Sequence, residues 1–279
     1  MLGLGNFISK PSVLSGAVPH VGVFDGINDS VRLTHDGDEV DVFRDYWRES
    51  WTLVFWTRHT DHGTNHSLHG HSFGGDFGYI GVISKNILRA YMKVAQGGGG
   101  ATIFYKARYY NDASDPWVDY PLAGESAPSS WWMYCITVQK NVGSDSTLNF
   151  GTGITAEGQD SALVFEPAGT WNETAHAAAP TYYFDLGSYG TSYRHYGNIG
   201  KIGFWNVALS QSALNVLYAG GYGGVVPDYR KNSGDYGQAD NLQAYLNFED
   251  GIIANVGLDS NLTFSNSGAT VTTDNNLGL

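Results

Sequence analysis

Short segments with the alternating pattern of β-strands recur roughly every 10 to 15 residues along this chain, and turn signals separate them. Trp51–Arg58 is the clearest, because both of its alternating sets of residues are largely apolar, which predicts a strand at the centre of a sheet. Trp131–Lys140 predicts a second core strand, and residues 111–130, with three prolines, predict a long loop. The chain has 37 glycines, 14% aromatic residues and only 15% charged residues in 279, a composition typical of strands and turns. The sequence therefore predicts an all-β fold, a single antiparallel β-sandwich.

The stretch from Tyr196 to Tyr222 predicts a strand followed by one short helix. Its first half is apolar and contains Gly200 and Gly203, which indicates a bent or closely packed strand. Ser210 is a favourable helix N-cap, and apolar residues follow it at helical spacing. Further along the chain, Leu242–Gly251 predicts another core strand.

Several segments of the chain, taken in order, resemble parts of one family of domains. Ile199–Gly221 contains Trp-Asn-x-Ala-Leu-Ser and then Leu-Tyr-x-Gly-Gly, and Leu242–Gly251 contains Leu-x-Ala-Tyr-Leu-x-Phe-Glu-Asp-Gly. Together they resemble the end of a laminin-G-like, concanavalin A-like jelly-roll domain. Val23–Leu33 resembles the opening hairpin of that family, and Trp51–Arg58 resembles its next core strand. The resemblance implies a two-sheet antiparallel β-sandwich that forms one domain over residues 19–279. The family includes lectins, glycan hydrolases, adhesion modules and virus structural proteins, so the fold does not select an activity.

Residues 1–18 are rich in Gly, Ser and Pro, and their scattered apolar residues follow no period. Such a segment cannot bury its own apolar side chains, so we predict an extended N-terminal arm that docks on the domain or on a neighbouring molecule. Met1–Ser9 also resembles the start of structural proteins of tailed phages. The segment lacks the basic and apolar pattern of a secretory signal, and no apolar run in the chain approaches the roughly 20 residues that span a bilayer. We therefore expect the protein to be assembled in a host cytoplasm.

A histidine cluster follows the Trp51–Arg58 segment. Imidazoles that converge with a carboxylate such as Asp61 or Asp76 are ligands for zinc, nickel or iron. The spacing fits no standard structural zinc pattern, so a polar loop with hydrogen-bonding histidines is the alternative interpretation. The cluster consists of His59, His62, His66, His69 and His71.

Calcium is the second candidate ligand. Jelly-roll domains that resemble this chain often hold one calcium ion near the first hairpin and the last strands. Here the candidate oxygen ligands are Asp25, Asn28, Asp29, Glu249 and Asp250. The same residue types are common in turns, and the sequence contains no loop with calcium-binding spacing, so a structural turn is the alternative.

The residues that catalysis would need are missing from the sequence. Glucanases of this fold carry Glu-x-Asp-x-x-Glu on one strand, and the nearest match here, Glu39-Val-Asp41-Val-Phe-Arg44, has an arginine at the last position. No nucleophile elbow or phosphate-binding loop is present. Cys135 lies in an apolar segment and is predicted to be a buried core thiol. We predict that the protein is not an enzyme and assign no catalytic, cofactor-binding or metal-binding residue.

Aromatic residues in or near predicted loops leave glycan binding open. Tryptophan and tyrosine can stack on sugar rings, but they can equally pack back on the sandwich or fill an interface between subunits. The candidates are Trp117, Tyr120, Trp171, Tyr189 and Tyr193.

These observations predict a non-enzymatic virion structural protein of a tailed phage, acting as a capsid decoration or cement protein or as a tail-associated component. Its expected partners are other virion proteins, either major capsid or tail proteins, bound through the arm at residues 1–18, and further copies of itself. The net charge of −12 argues against nucleic acid and anionic membrane surfaces as partners. The alternative is a carbohydrate-binding, lectin-like module that recognises host surface glycans.

Overall fold

The structure of the protein is a computed structural model. It describes residues 20–25, 28–35, 49–59, 76–83, 88–97, 100–109, 118–122, 131–141, 146–156, 159–160, 163–165, 169–171, 184–189, 193–194, 196–219, 228–248 and 253–273. No helix within these ranges is long and apolar enough to cross a membrane. The predicted arm at residues 1–18 lies outside them.

The described residues form mostly β-strands. In chain order the strands are β1 (His20–Asp25), β2 (Ser30–His35), β3 (Trp51–His59), β4 (Asp76–Ile83), β5 (Leu88–Gly97), β6 (Gly100–Tyr109), β7 (Val118–Leu122), β8 (Trp131–Gln139), β9 (Ser146–Ala156), β10 (Gln159–Asp160), β11 (Val164–Phe165), β12 (Gly169–Trp171), β13 (Phe184–Leu186), β14 (Ser188–Tyr189), β15 (Tyr193–Arg194), β16 (Tyr196–Trp205), β17 (Leu242–Leu246), β18 (Leu262–Ser267) and β19 (Thr270–Thr273). Helix α1 (Gln211–Tyr218) and a 3-10 turn at Ala239–Asn241 complete the described elements. The prediction of an all-β chain is confirmed.

The strands pair antiparallel in two main sheets and one small ribbon. The large sheet has ten described strands, with the order β10-β9-β8-β3-β16-β1-β19; β11 and β12 also pair with β9, and β17 pairs with β16. The small sheet has seven described strands, in the order β18-β2-β13-β4-β5-β6-β7. Strands β14 and β15 pair with each other.

Strand β3 lies at the centre of the large sheet, as predicted. It pairs with β8 on one side and with β16 on the other. Every side chain from Trp51 to Trp56 is buried, on both faces of the strand. Cys135, on β8 opposite Val54, is buried as well, which confirms the prediction of a core thiol.

The prediction that the first two strands form a hairpin is wrong. Strand β1 pairs with β16 and β19 in the large sheet, whereas β2 pairs with β13 and β18 in the small sheet. An alternating pattern with a turn indicates two strands, but it does not say whether the strands pair with each other. Residues 26–29 therefore carry the chain from one sheet to the other. The two C-terminal strands return to the first two and lie at the ends of the described strand orders: β19 pairs with β1, and β18 pairs with β2.

The prediction of a long loop at residues 111–130 also needs correction. Strand β7 lies inside this range and pairs with β6, with Pro121 opposite Lys106. Proline cannot donate a hydrogen bond to a neighbouring strand, so it is tolerated at the edge of a sheet. Since β7 is the terminal strand of the small sheet in the described order, its proline is compatible with strand structure.

Helix α1 begins and packs as the sequence predicts. The hydroxyl oxygen of Ser210 accepts a hydrogen bond from the backbone N–H of Ala213 at 3.2 Å, which caps the N-terminus of the helix. Leu214 and Leu217 on α1 are buried in the same apolar cluster as Trp56 and Trp205 of the large sheet. An isolated helix of this length is not stable in water, so this packing holds it in place. Together with residues 228–241, α1 covers one face of the large sheet; we call this cover the helix layer.

Indole and phenol groups join the helix layer to the sheet through buried hydrogen bonds. The indole N–H of Trp205 donates to the hydroxyl of Tyr236 at 2.9 Å, and that hydroxyl donates to the backbone carbonyl of Tyr229 at 2.6 Å. The indole N–H of Trp56 donates to the hydroxyl of Tyr229 at 3.1 Å. Burial raises the pKa of Tyr236 to about 12 and also raises the pKa of Tyr229. Both phenols therefore keep their protons at neutral pH, and these hydrogen bonds connect the helix layer to β3 and β16.

Candidate functional site

The turn between β1 and β2 contains three of the residues that the sequence offered as calcium ligands. The carboxylate of Asp29 accepts a hydrogen bond from the backbone N–H of Asp25 at 2.7 Å, and the carboxylate of Asp25 accepts one from the backbone N–H of Asn28 at 3.3 Å. Asp29 is buried, with 6% of its surface exposed. Its second carboxylate oxygen lies against Gly268, in the turn between β18 and β19.

Two passages between the sheets therefore lie side by side. The turn at residues 26–29 leads from the large sheet to the small one, and the turn at Gly268 leads back from β18 to β19. Gly268 has a φ of +87°, and a Cβ atom there would come within 2.3 Å of the Asp29 carboxylate. Glycine is needed because this conformation strains other residues and because a side chain would displace the carboxylate. Asp29 thus links the two passages.

This structural role accounts for Asp29 without a metal. Among the described residues, no group of three or more His, Cys, Asp or Glu side chains is placed to hold a metal ion. Glu249 and Asp250, the other two proposed calcium ligands, lie outside the described part of the chain. The residue before them, Phe248, packs its ring against Gly22 on β1. The calcium site stays a prediction, with Asp25, Asn28 and Asp29 placed together in one turn.

Replacing Asp29 with alanine is expected to lower the free energy of unfolding by about 1–3 kcal/mol, because the partly buried backbone N–H of Asp25 loses its acceptor. Thermal or urea unfolding, run in calcium and in a chelator, measures the loss, which should be the same in both. Asp235→Ala, at an exposed turn position, is the control and should change stability by less than about 0.5 kcal/mol. A loss that appears only in calcium would instead identify Asp29 as a metal ligand.

The other residues that the sequence singled out are only partly placed. His59 is the last residue of β3, and the other four histidines of the cluster lie outside the described part of the chain. Of the two carboxylates proposed beside them, Asp76 is the first residue of β4 and Asp61 lies outside the described part. Trp117 and the segment from Glu39 to Arg44 also lie outside it. The remaining four aromatic candidates fall on strands and not in loops: Tyr120 on β7, Trp171 on β12, Tyr189 on β14 and Tyr193 on β15.

A charged pair on the surface of the helix layer is satisfied within itself. Nε and Nη2 of Arg230 donate to the two carboxylate oxygens of Asp228 at 2.8 and 3.0 Å. Partial burial disfavours the ionised carboxylate, but the hydrogen bonds and positive charge of Arg230 outweigh it and hold the pKa of Asp228 below its usual value. The guanidinium carbon also lies 5.8 Å from the ring centroid of Tyr245. The charges of Arg230 and Asp228 therefore balance each other, and the pair gives no indication of a ligand site.

The small sheet has two faces of opposite character. On β2, Val31 and Leu33 are buried, and Phe264 of β18, opposite Leu33, is buried with them. On the other face, Arg32 of β2 is partly exposed and Ser265, opposite it on β18, is exposed, whereas Thr34, two residues along the same face, is buried. Because directly opposite residues share a face of an antiparallel sheet, the register shows which positions of the other strands lie on the same face as Arg32. We call the face that contains Arg32 the Arg32 face.

One row of the Arg32 face crosses the whole small sheet without a register shift. From Arg32 the row passes to Asp185 on β13 and Val82 on β4. It continues to Arg89 on β5, Arg108 on β6 and Asp119 on β7. Two arginines are therefore directly opposite each other, and aspartates occupy positions on either side of them in the row.

Two further rows of the same face combine cations with aromatic residues. Tyr91 on β5 is opposite Lys106 on β6, and Lys93 on β5 is opposite Phe104 on β6. These positions are two and four residues from Arg89 and Arg108, so the period of a strand places them on the same face. Asp76 on β4 is opposite Lys93. Charged and aromatic residues alternate with other residues along both strands in the sequence. Only the register between β5 and β6 shows that they share one face.

The covered face of the large sheet is apolar beneath the helix layer, and Arg58 lies at its margin over the ring of Trp131, 5.1 Å from the ring centroid. Trp56, Trp205, Met133 and Cys135 are buried there beneath the helix layer. The Arg32 face combines charged, hydroxyl and aromatic residue types. It is the candidate functional site.

No family model matches the chain, and no curated protein matches it in sequence. Among solved structures, the chain is similar to a "putative carbohydrate binding protein" from Bacteroides ovatus, with a TM-score of 0.50 and 14% identity. The match covers 92% of this chain and 60% of that one, so this chain spans about three fifths of the length of the other. At this identity the similarity concerns the fold alone. A marine PL-14 alginate lyase from Aplysia kurodai matches with a TM-score of 0.19 and 10% identity, over 67% of this chain and 71% of that one. Such a score does not establish a common fold.

Proposed function

We propose that the protein is a non-catalytic carbohydrate-binding module whose two main sheets pack face to face as a jelly-roll β-sandwich. Apolar residues on one face of each sheet are buried, among them Leu53 and Phe55 of β3 and Val31 and Leu33 of β2, which supports the sandwich. The ring of Phe24, on β1 of the large sheet, lies directly against Gly187, which follows β13 of the small sheet. The similarity in fold to a protein described as carbohydrate binding is consistent with this function.

The observation that carries the proposal is the composition of the Arg32 face. Glycan sites combine aromatic surfaces, on which sugar rings lie, with polar groups that hydrogen-bond the hydroxyls. Tyr91 and Phe104 supply the aromatic residues, and Arg89, Lys106 and Asp119 supply polar groups in adjacent positions. The helix layer packs on one face of the large sheet, and the Arg32 face of the small sheet is the proposed platform for an extended ligand.

Binding to a glycan array, followed by titration calorimetry on the hits, tests the proposal. A selective hit is expected, and the double variant Tyr91→Ala, Phe104→Ala should weaken it about tenfold or more. Leu258→Ala removes an exposed apolar side chain, 62% exposed, from the loop beside β17 and should leave binding unchanged. Binding to no glycan at all would refute the proposal. Equal weakening in the double variant and in Leu258→Ala would show that the glycan does not bind at Tyr91 and Phe104.

The role as a virion structural protein stays a prediction from the sequence. It depends on the arm at residues 1–18, and no comparison supports it. The expected capsid or tail partners, the self-association and the virion location stay predictions with it.

A further inference from the structure

The residues of the Arg32 face differ in charge from the rest of the chain. The chain has 15 Lys and Arg against 27 Asp and Glu. The register places the cations Arg32, Arg89, Lys93, Lys106 and Arg108 on this face, against the acids Asp76, Asp119 and Asp185. Within the described strands, five of the chain's 15 basic residues thus share this face with three of its 27 acidic residues. A local excess of cations attracts an anionic ligand to this face, whereas the net negative charge of the rest of the protein repels the ligand from other surfaces.

We propose that the ligand of the Arg32 face is an acidic polysaccharide, one that carries carboxylate or sulfate groups along its chain. This inference rests on the proposed carbohydrate-binding function and specifies the chemistry of its ligand. Guanidinium groups bind carboxylate and sulfate oxygens through two parallel hydrogen bonds, so arginine suits this task better than lysine. Arg89 and Arg108 are the central residues of the proposed site.

The opposition of Arg89 and Arg108 is the main argument. Like charges directly across an antiparallel pair of strands destabilise the sheet. Asp119 is opposite Arg108 on its other side, and Val82 is opposite Arg89. An anion that binds at the positions of Arg89 and Arg108 offsets the repulsion between their like charges. We therefore interpret the pair as a binding element.

The spacing of the cations favours a polysaccharide over a nucleic acid. Neighbouring strands lie about 4.8 Å apart, so cations on adjacent strands are separated by at least that distance. Duplex DNA carries one charge per roughly 1.7 Å of its axis, which is much denser. A polymer with about one charge per sugar unit matches the sparser pattern, and Tyr91 and Phe104 lie among the cations at positions where sugar rings can stack.

The test compares polymers that differ only in charge. Affinities are measured for dextran sulfate against dextran, and for polygalacturonate against the same polymer after carboxyl reduction. The wild-type protein is expected to bind a charged polymer at least about tenfold more tightly than its neutral partner, and the binding should weaken as salt is added. Preference for the sulfated or the carboxylated polymer identifies which anion the site takes.

The double variant Arg89→Gln, Arg108→Gln should lose about tenfold or more in affinity for the charged polymer. The control Lys140→Gln, Lys231→Gln removes the same charge from exposed or half-exposed positions outside the small sheet and should lose no more than about twofold. Thermal unfolding of each variant verifies that it is folded. Equal loss in both double variants would show that net charge alone is responsible, and would overturn the site.

The remaining outcomes separate this inference from the function on which it rests. Equal binding of charged and neutral polymers would refute the acidic ligand and leave carbohydrate binding standing. Binding to none of the glycans would refute both. Tighter binding to a DNA duplex than to any glycan would replace the polysaccharide with a nucleic acid and overturn the inference.

Discussion

Replacing Trp205 with alanine is expected to lower the free energy of unfolding by about 3–5 kcal/mol. The side chain is completely buried between the large sheet and the helix layer, with its ring centroid 5.4 Å from that of Tyr229. Its removal leaves a cavity and also removes the N–H that donates to the hydroxyl of Tyr236. Urea unfolding followed by circular dichroism measures the loss. Such a loss is a large fraction of the stability of a typical domain.

Two variants separate the contributions of volume and hydrogen bonding. Trp205→Phe keeps much of the ring and loses the N–H, so its cost should be smaller, at about 1–3 kcal/mol. Gly203→Ala keeps Trp205 but adds a Cβ atom 2.4 Å from the edge of its ring, so it should also destabilise the protein. A Trp205→Ala protein that loses less than about 1 kcal/mol would show that the helix layer is not packed as a core.

Replacing Asn255 with alanine is the second large loss, and about 3–5 kcal/mol is expected. The side-chain oxygen accepts hydrogen bonds from the backbone N–H groups of Tyr245 and Gly257, each at 2.8 Å. The side-chain nitrogen donates to the backbone carbonyls of Asp259 and Leu262, also at 2.8 Å. Alanine leaves four backbone groups without these partners, and each buried group that stays unsatisfied costs on the order of 1 kcal/mol.

The charge of the replacement provides a sharper test at Asn255. Asn255→Asp keeps the acceptor but replaces the two donors with an anion that faces two carbonyl oxygens, so it should also be strongly destabilised at neutral pH. Asn261→Ala, at an exposed position six residues further on, should change stability by less than about 0.5 kcal/mol. Equal stability of Asn255→Ala and Asn261→Ala would contradict the assigned role.

Local patterns were sufficient to predict the elements that local physics determines. The alternation of Trp51–Arg58 indicated a central strand, and the N-cap at Ser210 indicated the start of α1; both are found. The assignment of β1 and β2 to different sheets, with β19 and β18 as their respective partners, could not be predicted from local patterns. A short turn is compatible with a hairpin and with a passage between sheets, and the choice depends on partners far away in the chain.

The same limit explains why the candidate site was missed. Arg89 and Arg108 lie on different strands, and only the register between β5 and β6 makes them neighbours. Asp29 was singled out as a calcium ligand because its residue type is right, but its contact with Gly268 joins positions about 240 residues apart. Residue type indicates what a side chain can do, whereas the partner that decides its role is set by the topology.

The adjacency of the first and last strands also has a consequence for how the chain folds. His20 pairs with Thr273, so the edge of the large sheet closes only after a loop of about 250 residues has formed. Contacts that are so distant in sequence slow folding, because chain entropy is lost before the contacts form. At a synthesis rate of roughly 5–20 residues per second, β19 and β18 are made on the order of tens of seconds after β1 and β2, so the first two strands lack these partners for that time. Their edges are exposed for that time, and newly made chains are then most vulnerable to aggregation.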